Sequence, residues 1–73
     1  MLEKLKEFIN FKLKDAEKYA KTISQIENCR AQAYGALMFL QTNNLVTYEE
    51  TKEMWDKAYD KFHKLMLDIP NKK

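Results

Sequence analysis

The chain of 73 residues contains very few of the residues that end elements or cross-link a fold: one glycine, one proline and one cysteine. The single cysteine, Cys29, excludes a disulfide within the chain and is typical of a reducing compartment. Because glycine and proline supply most turn chemistry, their scarcity predicts few and long elements. No segment alternates apolar and polar residues as a half-buried strand does, so we expect helix.

Long apolar runs and an excess of one charge are also missing. The first ten residues, MLEKLKEFIN, carry charges at short intervals and do not resemble a signal peptide. No window reaches the roughly eighteen apolar residues of a membrane-spanning helix, so we expect a cytoplasmic protein without a membrane partner. The net charge is +2, from thirteen basic and eleven acidic residues that are interspersed, so nucleic acid is not the expected partner.

What the sequence does contain is a long heptad pattern that begins at Leu2. Its core positions are mostly uncharged over six heptads, which predicts one continuous helix over about residues 2–42. The alternative is a break near Ser24, which could form a capping box with Glu27 and give helices at about 2–21, 25–42 and 48–68 in a monomeric three-helix bundle. The continuous helix is the first choice because no glycine, proline or asparagine lies between positions 11 and 27.

The second predicted helix follows a turn at about 43–47. Asn43 and Asn44 tolerate the left-handed conformation that ends helices, and Thr47 with Glu50 forms a capping box. The helix then runs over about 48–68, and Pro70 ends it before a frayed tail at 69–73. The whole chain is thus predicted to be one all-helical domain. In the antiparallel hairpin, residues whose numbers sum to about 89 should face each other.

A second helix this short would cover only about residues 22–42 of a continuous first helix. The apolar stripe over residues 2–16 would then have no cover within the chain. The outer face of the helix changes from charged to apolar at about residue 29, and this apolar part would also be uncovered. We expect these two surfaces to pack together, between two chains in a homodimer of helical hairpins if the first helix is continuous, or within one chain if it breaks near Ser24. Gly35 should then be in close contact with another backbone or a large ring. The candidate interaction surface is Leu2, Leu5, Phe8, Ile9, Leu13, Ala31, Gly35, Met38 and Phe39.

The chemistry-bearing residues do not form a recognisable catalytic motif, and we predict no enzyme activity, metal or cofactor. Arg30 is the one charge at a heptad core position of the second half. It is expected to fix the register through Tyr59 or Asp60, or to contact an anion. The carboxylates before His63 on the second helix lie among lysines on its outer face, and Cys29 is expected to be buried and inert.

These features favour a small non-enzymatic module that binds a protein partner by occupying its surface. One alternative is a small inhibitor encoded by a phage or mobile element. The other follows from architecture alone: a helical hairpin that dimerises into a bundle resembles the plasmid RNA-binding hairpins, which would imply an RNA-binding dimer. The residues that would contact RNA are Lys12, Lys14, Lys18 and Lys21.

Overall fold

The computed structural model describes residues 1–69, and over this range the chain is all-helical, without a strand. Helix α1 spans Leu2–Tyr19, α2 spans Ile23–Thr42 and α3 spans Tyr48–Asp68. The three helices pack against one another in a bundle with extents of 43 × 17 × 17 Å. The expected all-helical class is confirmed, whereas the preferred two-helix count is wrong.

The first two helices are separated by a break, so the single helix predicted over residues 2–42 is not formed. Ala20 has an extended backbone with φ −72° and ψ 129°. Thr22 is the N-cap of α2: its hydroxyl accepts the Gln25 backbone N–H at 3.1 Å, while the Gln25 side chain accepts the Thr22 backbone N–H. The alternative prediction of three helices fits the structure, but the capping box that begins α2 is centred on Thr22 and not on Ser24. Gln25 takes the role that Glu27 would have had.

The connection between α2 and α3 agrees with the sequence prediction. Asn44 has a positive φ of 59°, the left-handed conformation expected after a helix. The Thr47 hydroxyl accepts the Glu50 N–H at 3.1 Å, and the Glu50 carboxylate accepts the Thr47 N–H at 2.8 Å, so the capping box is confirmed. Ile69 packs against the core directly after α3. The predicted role of Pro70 and the rest of the tail lie outside the described residues.

Because the chain folds back at residues 20–22, it covers its own first apolar stripe. Leu5 and Ile9 are each 2% exposed, and Leu2 and Leu13 pack against the same core. The expected packing of this stripe on the outer face of residues 31–39 of a second chain is therefore wrong. The version within one chain is wrong as well, because Ala31, Gly35 and Phe39 remain exposed. The buried core is formed by all three helices and the loop before α3: Leu5, Ile9, Ala16, Ile26, Ala33, Leu37, Val46, Ala58 and Phe62.

The register between α2 and α3 is the one predicted from hairpin geometry. The rings of Tyr34 and Trp55 lie 5.3 Å apart, and the Arg30 guanidinium lies 5.6 Å from the centre of the Tyr59 ring. Both pairs of numbers sum to 89. A helix turns by about 100° per residue, so the α2 residues that face α3 also define which α2 residues lie on the opposite, outer side.

Candidate functional site

The outer face of α2 is exposed, and its one charged side chain, the 45% exposed Glu27, is paired with Arg30. Of the ten exposed residues in α2, none is charged, whereas seven of ten in α1 and ten of fourteen in α3 are charged. A solvent-facing helix surface normally carries charged residues opposite its apolar stripe. We call this surface the neutral face of α2. Its exposed members are Ile23, Ser24, Gln25, Asn28, Ala31, Gln32, Tyr34, Gly35, Phe39 and Thr42.

The apolar centre of the neutral face lies in the second half of α2. Phe39 is 63% exposed, Ala31 and Gly35 are exposed, and Met38 beside them is half-buried. A methyl group added at Gly35 would meet no atom within 4 Å. The close contact expected at Gly35 is therefore absent within the chain, and the residue leaves a shallow gap one turn before the Phe39 ring.

The two charged residues of α2 neutralise each other at the edge of this face. The Arg30 Nη2 atom donates to Glu27 Oε2 at 2.7 Å, and the Arg30 side chain is half-buried. Arg30 also contacts the ring of Tyr59, as expected, but its carboxylate partner is Glu27 and not Asp60. The guanidinium is thus occupied by groups of its own chain, which agrees with a role in register more than with anion binding.

An aromatic strip borders the neutral face where α2 meets α3. Tyr34 is 42% exposed and Tyr59 is 49% exposed, while Trp55, whose ring packs on Tyr34, is half-buried. Tyrosine, tryptophan and arginine are the residues most enriched in interface hot spots. The hairpin register could have placed Tyr34 at the surface edge, since it lies between the buried and outer positions of α2.

The predicted site residues of α1 do not form part of this surface. Leu5 and Ile9 are buried, Leu2 and Leu13 are half-buried, and all four pack in the core. Phe8 is half-buried, and the Lys12 ammonium lies 5.6 Å from its ring centre. Of the predicted surface, Ala31, Gly35 and Phe39 are exposed and lie on α2 with the half-buried Met38, whereas the half-buried residues of α1 lie on a different helix.

A cleft of about 400 Å³ runs between α1 and α3. Leu2, Ile9 and Met54 contribute apolar walls, while lysines of both helices and glutamates of α3 line its rims. Lys57 is paired with Glu53 at 3.3 Å, and Lys6 with Glu3 at 3.8 Å. The Glu50 carboxylate accepts the Thr47 N–H at 2.8 Å, so most of the charged groups of the rims already have partners. The cleft therefore has no convergent set of polar groups of the kind that orients a small ligand.

The titratable residues of α3 do not form a catalytic or metal-binding group. Asp60 pairs with Lys64 at 3.1 Å on the exposed face, and His63 is exposed beside them. Within residues 1–69, no three potential metal ligands are close enough to hold an ion. Burial, with a smaller effect of Asp15, raises the pKa of the Cys29 thiol, and Lys12 partly offsets this shift. A raised pKa keeps this thiol protonated and poorly nucleophilic.

The four lysines considered for RNA binding do not share a face. Lys12 is half-buried and lies 5.6 Å from the ring centres of Phe8 and Phe11, whereas Lys14 is exposed. Residues two apart in a helix point to nearly opposite sides. Lys21 lies outside α1, in the connection to α2.

Two general sources of a functional assignment, membrane-spanning helices and similarity to known proteins, give no positive finding for the described residues. Over the described residues, no helix has the length and apolar content needed to cross a bilayer. Comparison of the chain with family models, curated proteins and solved structures found no match. A functional assignment therefore depends on the neutral face of α2 itself.

Proposed function

We propose that this chain is a small non-enzymatic interaction module that acts by occupying a protein surface with the neutral face of α2. The observation that supports this proposal is the contrast between helices: α2 exposes ten residues without a charge, whereas α1 and α3 expose mostly charged residues. Exposed apolar patches bordered by polar residues are typical of protein-binding sites.

Phe39 is the anchor of this surface. Fully burying a phenylalanine side chain contributes about 1.5–3 kcal/mol, so burying its 63% exposed surface would contribute about 1–2 kcal/mol. Gly35, one turn earlier, lets a partner backbone or side chain approach α2 closely, because it has no side chain of its own. Tyr34 adds an aromatic edge at low conformational cost.

The low reactivity of the other groups supports a non-enzymatic role. The α3 carboxylates Glu53 and Asp60 are exposed and paired with lysines, and the Cys29 thiol is half-buried with a raised pKa. General acid–base catalysis needs a titratable group held in a cleft with its pKa near the working pH. Both carboxylates are exposed and already paired with lysines, so neither is held towards a substrate site.

Three baits test the proposal: wild type, Phe39→Lys and Leu67→Lys. Leu67 lies on α3 and is 61% exposed, against 63% for Phe39, so it is a matched control for adding a charge. Proteins captured from the native host lysate by wild type and Leu67→Lys but lost with Phe39→Lys would support the neutral face as the binding surface. Equal capture by all three baits would contradict it.

Salt separates this proposal from the RNA-binding alternative. Four lysine–phosphate contacts would weaken RNA binding by about 50-fold or more between 50 and 200 mM salt. An uncharged surface should bind with little change over the same range. Steep salt dependence, together with equal binding by the Phe39→Lys variant, would favour RNA and reject the neutral face.

A further inference from the structure

We propose that the neutral face of α2 pairs with the same face of a second copy of this chain, antiparallel, about a two-fold axis that passes near Gly35. This inference rests on the proposed function, because it names the partner of the surface described there. It differs from the dimer expected from sequence, in which the α1 stripe would have supplied half of the interface.

Charge singles out α2 as the helix for self-pairing. In a two-fold interface the same patch lies on both sides, so a charged residue near the axis meets its own copy. Like charges brought together across an interface are repelled, which suppresses such pairings. The exposed residues of α1 and α3 are mostly charged, whereas those of α2 are all uncharged. Two copies can therefore bring their α2 helices together without placing like charges at the axis.

Shape sets the direction and the register. Ala31, Gly35 and Phe39 are four residues apart, so they lie along one side of α2 at intervals of about 6 Å. With antiparallel helices and the axis at Gly35, each Phe39 lies opposite Ala31 of the other copy. A large exposed ring then meets a small residue at both ends of the contact, beside the open space at Gly35. A parallel pair would instead set ring against ring.

The size of the face predicts a reversible dimer. A helix of 20 residues is about 30 Å long and 10–12 Å wide, so the face projects over roughly 300 Å². Stable interfaces bury about 800 Å² per partner. The face is smaller than this, so we expect a weak and reversible association that is detected only at high chain concentration.

Cysteine cross-linking tests the register directly. In a Cys29→Ser background, Gly35→Cys places a thiol at the axis, where its copy lies within disulfide range. The side chain fits in the single chain because a Cβ at this position meets no atom within 4 Å. The control is Ser24→Cys, which is exposed on the same face but about 16 Å from the axis, so its copies would be about 33 Å apart.

At 200 µM chain under mild oxidation, we expect the Gly35→Cys variant to form disulfide-linked dimer at least tenfold faster than the Ser24→Cys variant. Equal rates would overturn the proposed axis. Circular dichroism of both reduced variants verifies that each one is folded as the parent is.

Sedimentation equilibrium from 20 µM to 1 mM tests the association itself. Wild type and Leu67→Lys should shift from monomer towards dimer over this range, and Phe39→Lys should stay monomeric. A wild-type chain that is monomeric at 1 mM would overturn the second copy as partner, yet it would leave the proposed function standing if lysate capture still depends on Phe39. If Phe39→Lys changes neither self-association nor capture, both proposals are wrong.

Discussion

Replacing Gly35 by alanine should stabilise the folded chain. Glycine in the middle of a helix is less favourable than alanine by about 0.5–1 kcal/mol, because more backbone freedom is lost on folding. The structure shows nothing that would offset this gain: Gly35 lies inside α2, and an added methyl group meets no atom within 4 Å. The sequence alone had suggested a close contact here, which would have made any larger residue destabilising.

The predicted gain can be expressed as a melting temperature. For a domain of this size, 1 kcal/mol shifts the midpoint by about 4–8 °C, so Gly35→Ala should raise it by about 2–8 °C. Thermal and urea unfolding followed by circular dichroism at 5 µM chain would measure both quantities well below the concentration expected for self-association. Ala31→Gly, an exposed alanine one turn earlier in α2, is the control and should lose a similar amount.

A lower midpoint for Gly35→Ala at 5 µM would refute this reasoning. It would mean that another part of the chain lies against Gly35, as the sequence had suggested. The neutral face of α2 would then be covered within the monomer, and the interaction surface would have to be sought elsewhere.

Further predictions concern the cap, the core and the thiol. Thr22→Val removes the hydroxyl that caps α2 and should cost about 0.5–2 kcal/mol in urea unfolding, whereas Thr42→Val, at the other end of α2, should change stability by less than about 0.5 kcal/mol. Phe62→Ala should lower the free energy of unfolding by about 3–5 kcal/mol, because Phe62 is 0% exposed. Trp55→Ala should lower it by less, because Trp55 is half-buried, and the reverse order would contradict the packing described. Since burial raises the pKa of the Cys29 thiol, the unfolded chain ionises first as the pH rises. The free energy of unfolding should therefore decline above about pH 8.5 in wild type more than in Cys29→Ser, and a matching decline in both would contradict this.

The parts of the fold with strong local signals were predictable from sequence. The Asn43–Asn44 turn, the Thr47 capping box and the bounds of α3 depend on residues within one turn of each other, and the structure has all three. The register of α2 on α3 follows from the length of that turn, and the contact between Tyr34 and Trp55 confirms it.

The break between α1 and α2 could not be predicted in the same way. Residues 20–22 lack glycine and proline, and a Thr22 cap contributes only about 1 kcal/mol. Tertiary packing contributes more: folding α1 back buries Leu5 and Ile9, and each such side chain contributes about 1.5–3 kcal/mol. Local sequence does not reveal that gain, since a continuous helix could bury the same residues against a second chain.

Only the α2 part of the candidate surface could be predicted, because the α1 part depends on whether the first helix is continuous. Phe39 and Gly35 belong to an outer face whose lack of charge is visible in the sequence, so their exposure could be expected. Leu5 and Ile9 were assigned to the surface because a continuous helix would have exposed them. Once the chain folds back, they become core and the neutral face of α2 remains without a cover.

The fold-back of the chain between α1 and α2 is what leaves the neutral face of α2 outermost. The distance between spin labels at Glu3→Cys and Thr42→Cys, in a Cys29→Ser background diluted with unlabelled protein, tests it most directly. The bundle is 17 Å across its short axes and α1 runs back along α2, so we predict a label separation below about 25 Å. A continuous helix would separate the same positions by about 58 Å, and a distance near that value would contradict the fold-back.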